Sequence, residues 1–234
     1  MGLNFRQGVR RFIRMPFDLA RAVNRLRRHH ARPRTLEETV RLALNFDGRG
    51  SFRVTAAQVP SEITDLARAV AALKPKRILE IGTADGSTLL IWANIASERV
   101  ISCDIKPMAI QSMLFKRFPP PASGCRVTLL SGNSHDPAFK SLVERHLEGE
   151  QVDFLFIDGD HTEAGVSADY EAYRSLVRPG GLIAFHDIVE KQPLPQNQVY
   201  YFWKKIKREA DTEEFVQDPG QCGYGIGIVR VPGK

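Results

Sequence analysis

This sequence of 234 residues predicts an α/β fold, a doubly wound sheet that is mostly parallel with an antiparallel last strand. Three observations predict it. A short apolar run, Ile78, Leu79 and Ile81, ends in Gly82 and passes through Thr83-Ala-Asp-Gly86-Ser87 into an apolar segment of helical length, Leu89 to Ile95. From Arg77 onward, strand-like and helix-like stretches alternate, the pattern of parallel strands joined by helices that cover both faces. Finally, two closing strands near Glu214 to Gln217 and Tyr224 to Val231 are separated only by Asp-Pro-Gly-Gln-Cys-Gly. A parallel crossover needs about a dozen residues, so this last pair is a hairpin.

The elements follow in order. Residues 2 to 30 place Phe5, Val9, Phe12, Leu19, Val23 and Leu26 near one helical face and arginines mostly elsewhere. Pro16 removes an internal hydrogen bond and is expected to split this segment into two helices. Its apolar face would pack on its own domain or on a dimer mate. Alternatively, it would adsorb to an anionic membrane surface, which basic residues beside apolar ones favour. A mitochondrial presequence is a third reading, weakened by the absence of serine before Ser51. Thr35-Leu-Glu-Glu38 is a capping box opening a helix to about Phe46, and a further helix runs from Ser61 to Leu73. Strands are then expected at Arg99 to Ile105, Arg126 to Leu130, Val152 to Ile157 and Leu182 to Phe185, with helices at Ala109 to Phe118, Ala138 to Leu147, Glu163 to Val177 and Val199 to Glu209. Residues 1–34 form an arginine-rich helical extension and residues 35–234 one α/β domain.

With 43% hydrophobic residues the chain can bury a full core, and no apolar run has the length of a membrane span. Arginines interrupt the N-terminal segment, so a secretory signal is not expected. Cys103, Cys125 and Cys222 are odd in number and widely spaced, which indicates neither a disulfide framework nor a zinc site and points to a reducing, cytoplasmic setting, peripheral to a membrane if the first helix adsorbs. The formal charge of +6 is concentrated in residues 1–34, which hold ten arginines against Asp18; the remainder is slightly acidic. A basic groove for nucleic acid is therefore not indicated.

The chemistry gathers at the ends of the strands. Gly82 allows a sharp turn, Gly86 allows close approach to a ligand, and Ser87 can cap a helix whose free N–H groups follow, a geometry suited to a nucleotide-like ligand. Ala84 stands where a dinucleotide fingerprint requires its middle glycine, which weakens an NAD reading. Asp104 closes the second strand, 22 residues after Gly82, where a carboxylate can accept both hydroxyls of a ribose. Asp153-Phe-Leu-Phe-Ile-Asp158-Gly-Asp-His161 carries acids and a histidine to the carboxyl end of a central strand, and Arg178-Pro-Gly-Gly-Leu-Ile-Ala-Phe-His186-Asp187 ends the next strand in a His-Asp pair. Adjacent strand ends can bring Asp158 and Asp187 within reach of one divalent ion.

These motifs carry a resemblance. Glu80 two residues before Gly82 resembles motif I of the class I S-adenosylmethionine-dependent methyltransferases, whose acid helps hold the methionine part of the cofactor. The antiparallel last strand inserted at the edge of a Rossmann-like sheet is similar to theirs as well. Gly132-Asn133-Ser134 resembles the Gly-Asp-Ser turn that meets adenine in catechol-type O-methyltransferases, with only Ser134 carried over. The Asp-Gly-Asp-His and Pro-Gly-Gly…His-Asp stretches resemble the group that includes cephalosporin-hydroxylase-like proteins and macrolide-sugar O-methyltransferases, over about Ser61 to Val231. The resemblance implies an S-adenosylmethionine cofactor held by Glu80, Gly82, Thr83, Gly86, Ser87, Asp104, Ser134 and Asp158, and O-methylation of a small polyhydroxylated or glycosidic acceptor. Since the sulfonium already activates the methyl group, the enzyme's task is alignment and removal of the acceptor's proton, assigned to His161 beside Asp158.

Asp158, Asp187 and His186 would hold a metal. His186 stands where relatives carry an acid or asparagine, which leaves open Mn²⁺ or Fe²⁺ in place of Mg²⁺, a histidine behind the ligands, or no metal. Competing readings are RNA or protein methylation with the arginine-rich arm as docking element, and a non-catalytic cofactor-binding protein at a membrane surface.

Overall fold

A computed structural model describes the backbone of residues 2–233 and the side chains of residues 14–233. Helix α1 (Gly2–His30), α2 (Leu36–Leu44), a 3-10 turn at Gly50–Phe52 and α3 (Pro60–Ala72) precede the alternating part of the chain. That part runs β1 (Arg77–Ile81), α4 (Ser87–Ile95), β2 (Arg99–Asp104), α5 (Ser112–Phe115), β3 (Arg126–Ser131), α6 (Pro137–Leu147), β4 (Val152–Ile157), α7 (Glu163–Tyr173) and β5 (Val177–His186). It closes with α8 (Val199–Ile206), β6 (Thr212–Phe215) and β7 (Ile226–Arg230). The strands form a single sheet in the order β3-β2-β1-β4-β5-β7-β6. Neighbours among the first five are parallel, whereas β7 runs antiparallel to both β5 and β6. The expected hairpin is therefore present.

Alternation along the strands divides the core into two layers. Ile78, Val100, Phe154, Phe156 and Ala184 face the layer of α1 to α4, together with Trp92, Leu66 and Phe115. Leu79, Ile81, Ile101, Leu155 and Phe185 face α6, α7 and α8, against Val143, Tyr173 and Trp203. Burial on both sides explains why the central strands read as continuous apolar runs.

Four local expectations are corrected. α1 continues through Pro16 as one helix. Beyond the proline, Ala22 and Leu26 are fully buried and Leu19 and Val23 pack beside them, so docking holds the helical register across the missing hydrogen bond. The helix expected over Ala109 to Phe118 shortens to Ser112–Phe115, and the one from Glu163 ends at Tyr173. β5 begins at Val177, earlier than expected; the Pro179-Gly-Gly stretch enters the sheet through a shift of register between Val152 and Phe154.

Local polar contacts fasten α1 to the domain. Arg34 donates to the carbonyls of His29 (2.7 Å) and Arg28 (3.1 Å), satisfying acceptors left open at the helix end. Arg21 pairs with Asp47 at 2.7 Å, and Arg25 donates to Asn45 O while lying over the Phe46 ring. Thr35 and Glu38 form the capping box that opens α2. Among the described residues no helix is long and apolar enough to cross a membrane.

If the second half of α1 is core, Leu26→Ala should destabilise the chain by about 2–5 kcal/mol in urea unfolding, as for other fully buried leucines. A cost below about 0.5 kcal/mol would mark it as a surface residue.

Candidate functional site

The carboxyl ends of β1, β2, β3 and β4 open onto one cavity of about 540 Å³. Its walls are Gly82 and Ala84 after β1, Asp104 to Lys106 after β2, Gly132 to His135 after β3 and Asp158 to His161 after β4. Gly82 adopts φ +99°, and a Cβ there would stand 2.0 Å from the carbonyl oxygen of Asp158. The Asp158 N–H in turn donates to Ile81 O at 2.8 Å. Only glycine lets the two central strands stay this close at their ends.

The turn is held from below and from the side. Asp104 Oδ2 accepts the Ala84 N–H and Oδ1 that of Lys106, both at 2.8 Å. A carboxylate has about four lone-pair positions, so two remain for a ligand. Gly86, at φ +81°, is itself the N-cap of α4, and a Cβ on it would meet the Phe115 ring at 2.6 Å. The glycine thus makes room for the protein's own side chain. Ser87 is buried as the first residue of α4 and makes no capping bond, which corrects its expected role.

Glu80 is corrected too. Its side chain is fully buried against Trp92 of α4 and does not line the cavity. Trp92 Nε1 donates to Oε1 at 2.9 Å and Ser102 Oγ to Oε2 at 2.5 Å, while Ser102 Oγ lies 2.6 Å from Thr83 Oγ1. Burial pushes the Glu80 carboxyl up to about 8 despite these bonds. Glu80 and Thr83, both out of contact with the cavity wall, brace the glycine turn from inside.

The acids and histidines after β4 and β5 come together at one end of the cavity. His161 Nδ1 lies 2.8 Å from Asp187 Oδ2, and its Nε2 lies 3.9 Å from Asp158 Oδ1. His186 is buried, with Nδ1 at 3.2 Å from Asp158 and 3.5 Å from Asp187. Asp187 sits at φ +64°, strained for a residue with a Cβ. It also accepts from Asn197 Nδ2 (2.6 Å) and the Tyr224 N–H (3.1 Å), and Gln58 Nε2 reaches Asp158 at 3.4 Å. Burial works against the charge on Asp187, but His161 and His186 hold its carboxyl well below the usual carboxylate range. For His186, burial disfavours the cation, yet Asp158 and Asp187 raise it to about 10. The hydrogen bond to Asp187, acting against burial, raises His161.

One ligand atom each from Asp158, His161 and Asp187 lie within 4.8 Å of one another, a donor set that fits a divalent cation. His186, expected as the third ligand, is replaced in that set by His161 and lies behind the carboxylates. Asn197 and Tyr224 join the cluster from ten and 37 residues beyond Asp187, with no local motif to announce them. Glu62 places Tyr224: buried on α3, it accepts from the N–H groups of Gln217 (3.0 Å) and Gly225 (2.9 Å) and from the Gln221 side chain. Ile105, 72% exposed in the cavity wall, was legible as an apolar residue just past a strand-end acid.

Ser134 also lines the cavity, its carbonyl accepting from Tyr173 OH at 2.9 Å.

The chain is similar to known proteins in sequence and in fold. A family model described as a methyltransferase domain matches residues 79–188. Probable caffeoyl-CoA O-methyltransferase 2 of Dictyostelium discoideum is 30% identical over 125 residues, 52% of this chain and 51% of that protein. An uncharacterized protein, R132, of Acanthamoeba polyphaga mimivirus is 31% identical over 121 residues, 50% and 54% of the two chains. The chain thus spans about half the length of the curated relatives it matches. An O-methyltransferase from Bacillus cereus in complex with S-adenosylhomocysteine superposes with a TM-score of 0.55 at 24% identity, covering 85% of this chain and 92% of that one. MycE methyltransferase of the mycinamycin biosynthetic pathway, in complex with Mg, S-adenosylhomocysteine and mycinamycin VI, gives 0.59 at 17% identity, covering 86% and 55%. These likenesses establish the class I methyltransferase fold.

The buried Glu80 makes stability depend on pH. Its carboxyl ionises at about 4.5 when unfolded and about 8 when folded, so folding retains a proton across that window and stability falls as pH rises through it. Glu80→Gln removes this effect. Its melting temperature relative to the native chain should therefore climb between about pH 5 and 8, and a pH-independent difference would contradict the buried proton.

Proposed function

We propose that this chain, with its methyltransferase domain and class I fold, is an S-adenosylmethionine-dependent O-methyltransferase for a hydroxyl of a small polyhydroxylated or glycosidic acceptor. One observation carries the reading. A single cavity has a glycine turn and a strand-end acid shaped for a nucleoside along one side, and an oriented His-Asp pair at its end. The ribose hydroxyls take the two free lone-pair positions of Asp104. Gly82 to Ala84 would hold the amino-acid part, and the negative charge of Asp158 would favour a nearby sulfonium. Ser134 borders the base.

At the reaction end, the chain supplies alignment and a proton acceptor. His161 donates from Nδ1 to Asp187, which leaves Nε2 as the lone pair facing the cavity. Nε2 would take the acceptor's hydroxyl proton as the oxygen displaces the sulfonium sulfur from the methyl group in line, releasing S-adenosylhomocysteine, and Asp187 would stabilise the imidazolium that results. Asn197 and the Tyr224 N–H hold Asp187 in place for this. Gln58, Asn197 and Tyr224 surround the acids with hydrogen-bonding groups, which suits an acceptor rich in hydroxyls. A cation such as Mg²⁺, held by Asp158, His161 and Asp187, would supply the same chemistry differently, by lowering the pKa of an acceptor hydroxyl. The crystallised MycE complex with Mg and mycinamycin VI supports both an acceptor of this class and a place for the ion.

Incubation with methyl-labelled S-adenosylmethionine and a panel of glycosides and polyols tests the reading. Label is expected on a hydroxyl oxygen, and transfer to nitrogen or to RNA only would overturn it. His161→Ala should lower kcat by about 10²- to 10⁴-fold with cofactor affinity retained. With His161 as proton acceptor, turnover should survive EDTA within about twofold; a larger loss restored by Mg²⁺ would assign that task to a bound cation.

A further inference from the structure

Away from the cavity, the outer face of α1 has no part in the reaction. Leu19, Ala22, Val23 and Leu26 turn inward and pack on the domain. On the opposite side of the helix, Phe17, Arg21, Asn24 and Arg28 follow one another at helical spacing and line one wall of a groove of about 560 Å³. Phe17 is 75% exposed, more than any other large apolar side chain among the described residues.

The charge on this face is unbalanced. Arg21 occupies Asp47, and Arg25 turns to Asn45 O and the Phe46 ring. Arg14, Arg27 and Arg28 are exposed, and their guanidinium groups meet no acid among the described residues. Residues 2–13 of the same helix add Arg6, Arg10 and Arg11 and no acid, whereas the chain beyond residue 34 is slightly acidic. Attraction to an anionic surface is therefore confined to α1.

Charge decides what can cover this face. A second copy of the chain, docked by two-fold symmetry, would set one arginine stripe against another. A nucleic acid would find a basic surface only one helix wide, with acidic flanks that repel its backbone. A flat bilayer meets the whole length of the helix: anionic headgroups neutralise the arginines, and an aromatic ring between them enters the boundary of the acyl chains.

We propose that α1 docks this chain on an anionic phospholipid surface, with Phe17 as the apolar anchor and Arg14, Arg27 and Arg28 against the headgroups. None of these residues lines the strand-end cavity, so the proposal stands apart from the cofactor and acceptor readings.

The test is co-sedimentation of the full chain with vesicles of phosphatidylcholine alone and of phosphatidylcholine with about one third phosphatidylglycerol, at about 0.1 M salt. The native chain should bind the mixed vesicles at least tenfold more tightly and lose most of that preference at about 0.5 M salt. Each unpaired arginine contributes about fivefold, so the triple variant Arg14→Gln, Arg27→Gln, Arg28→Gln should bind about 50-fold or more weakly, with its melting temperature unchanged. Phe17→Ser should weaken binding about tenfold. Equal binding to the two vesicles, no binding, or binding unchanged in the triple variant would overturn the proposal. Tighter binding of an RNA oligonucleotide than of the mixed vesicles, or a dimer dissociated by Phe17→Ser in a chain that ignores vesicles, would overturn it in favour of that occupant. If the triple variant does not fold, the comparison of the two vesicles and Phe17→Ser, altered at an exposed position, decide the matter.

Discussion

The approach of two backbones at the centre of the sheet governs the rest of this molecule. β1 and β4 pair in parallel up to Ile81 and Ile157, and immediately beyond them Gly82 lies against the Asp158 carbonyl, where a Cβ would be 2.0 Å away. The chain cannot turn there with any other residue unless the strands part. Because they do not part, the turn after β1 and the acidic loop after β4 leave the sheet side by side. A nucleoside-sized cavity and a cluster of ionisable groups then share one edge, as open α/β sheets place their ligands.

The electrostatics of that edge follow from crowding. Asp187 is buried and strained, yet His161, His186, Asn197 and the Tyr224 N–H converge on it. Removing any of them would expose part of the desolvation cost of the charge, which is why such networks stand or fall as units. The supports come from distant elements. Glu62, on α3, fastens the loop that carries Tyr224. The helices ahead of the sheet thereby contribute to the site without lining it, and α1, docked through Ala22 and Leu26, extends the layer in which they sit.

Much of this was legible in the residues. The strand-turn-helix from Ile78, the alternation that follows and the short closing hairpin imposed the topology, since each rests on a local rule of chain geometry. Asp104, Asp158, His161 and Asp187 stood at strand ends, and strand ends on adjacent parallel strands meet. Glu80 was misplaced because side-chain alternation matters more than nearness to the turn: two residues before Gly82, it shares the face of Ile78 and meets Trp92 under α4. Ser87 lost its capping role to Gly86 because the turn reaches the helix in a left-handed conformation. Asn197 and Tyr224 gave no signal, because their positions depend on how loops and helices return across the sheet. Pro16 misled in the opposite sense, a local penalty overridden by packing farther along.

The central claim is that the Gly82 turn and Asp104 together make a site for the nucleoside of the cofactor. Isothermal titration of the native chain and of Asp104→Ala with S-adenosylmethionine tests it most directly. The account requires saturable uptake of about one molecule per chain, weakened about tenfold or more when the carboxylate is lost. Uptake that is absent in the native chain, or equal in both, would contradict it.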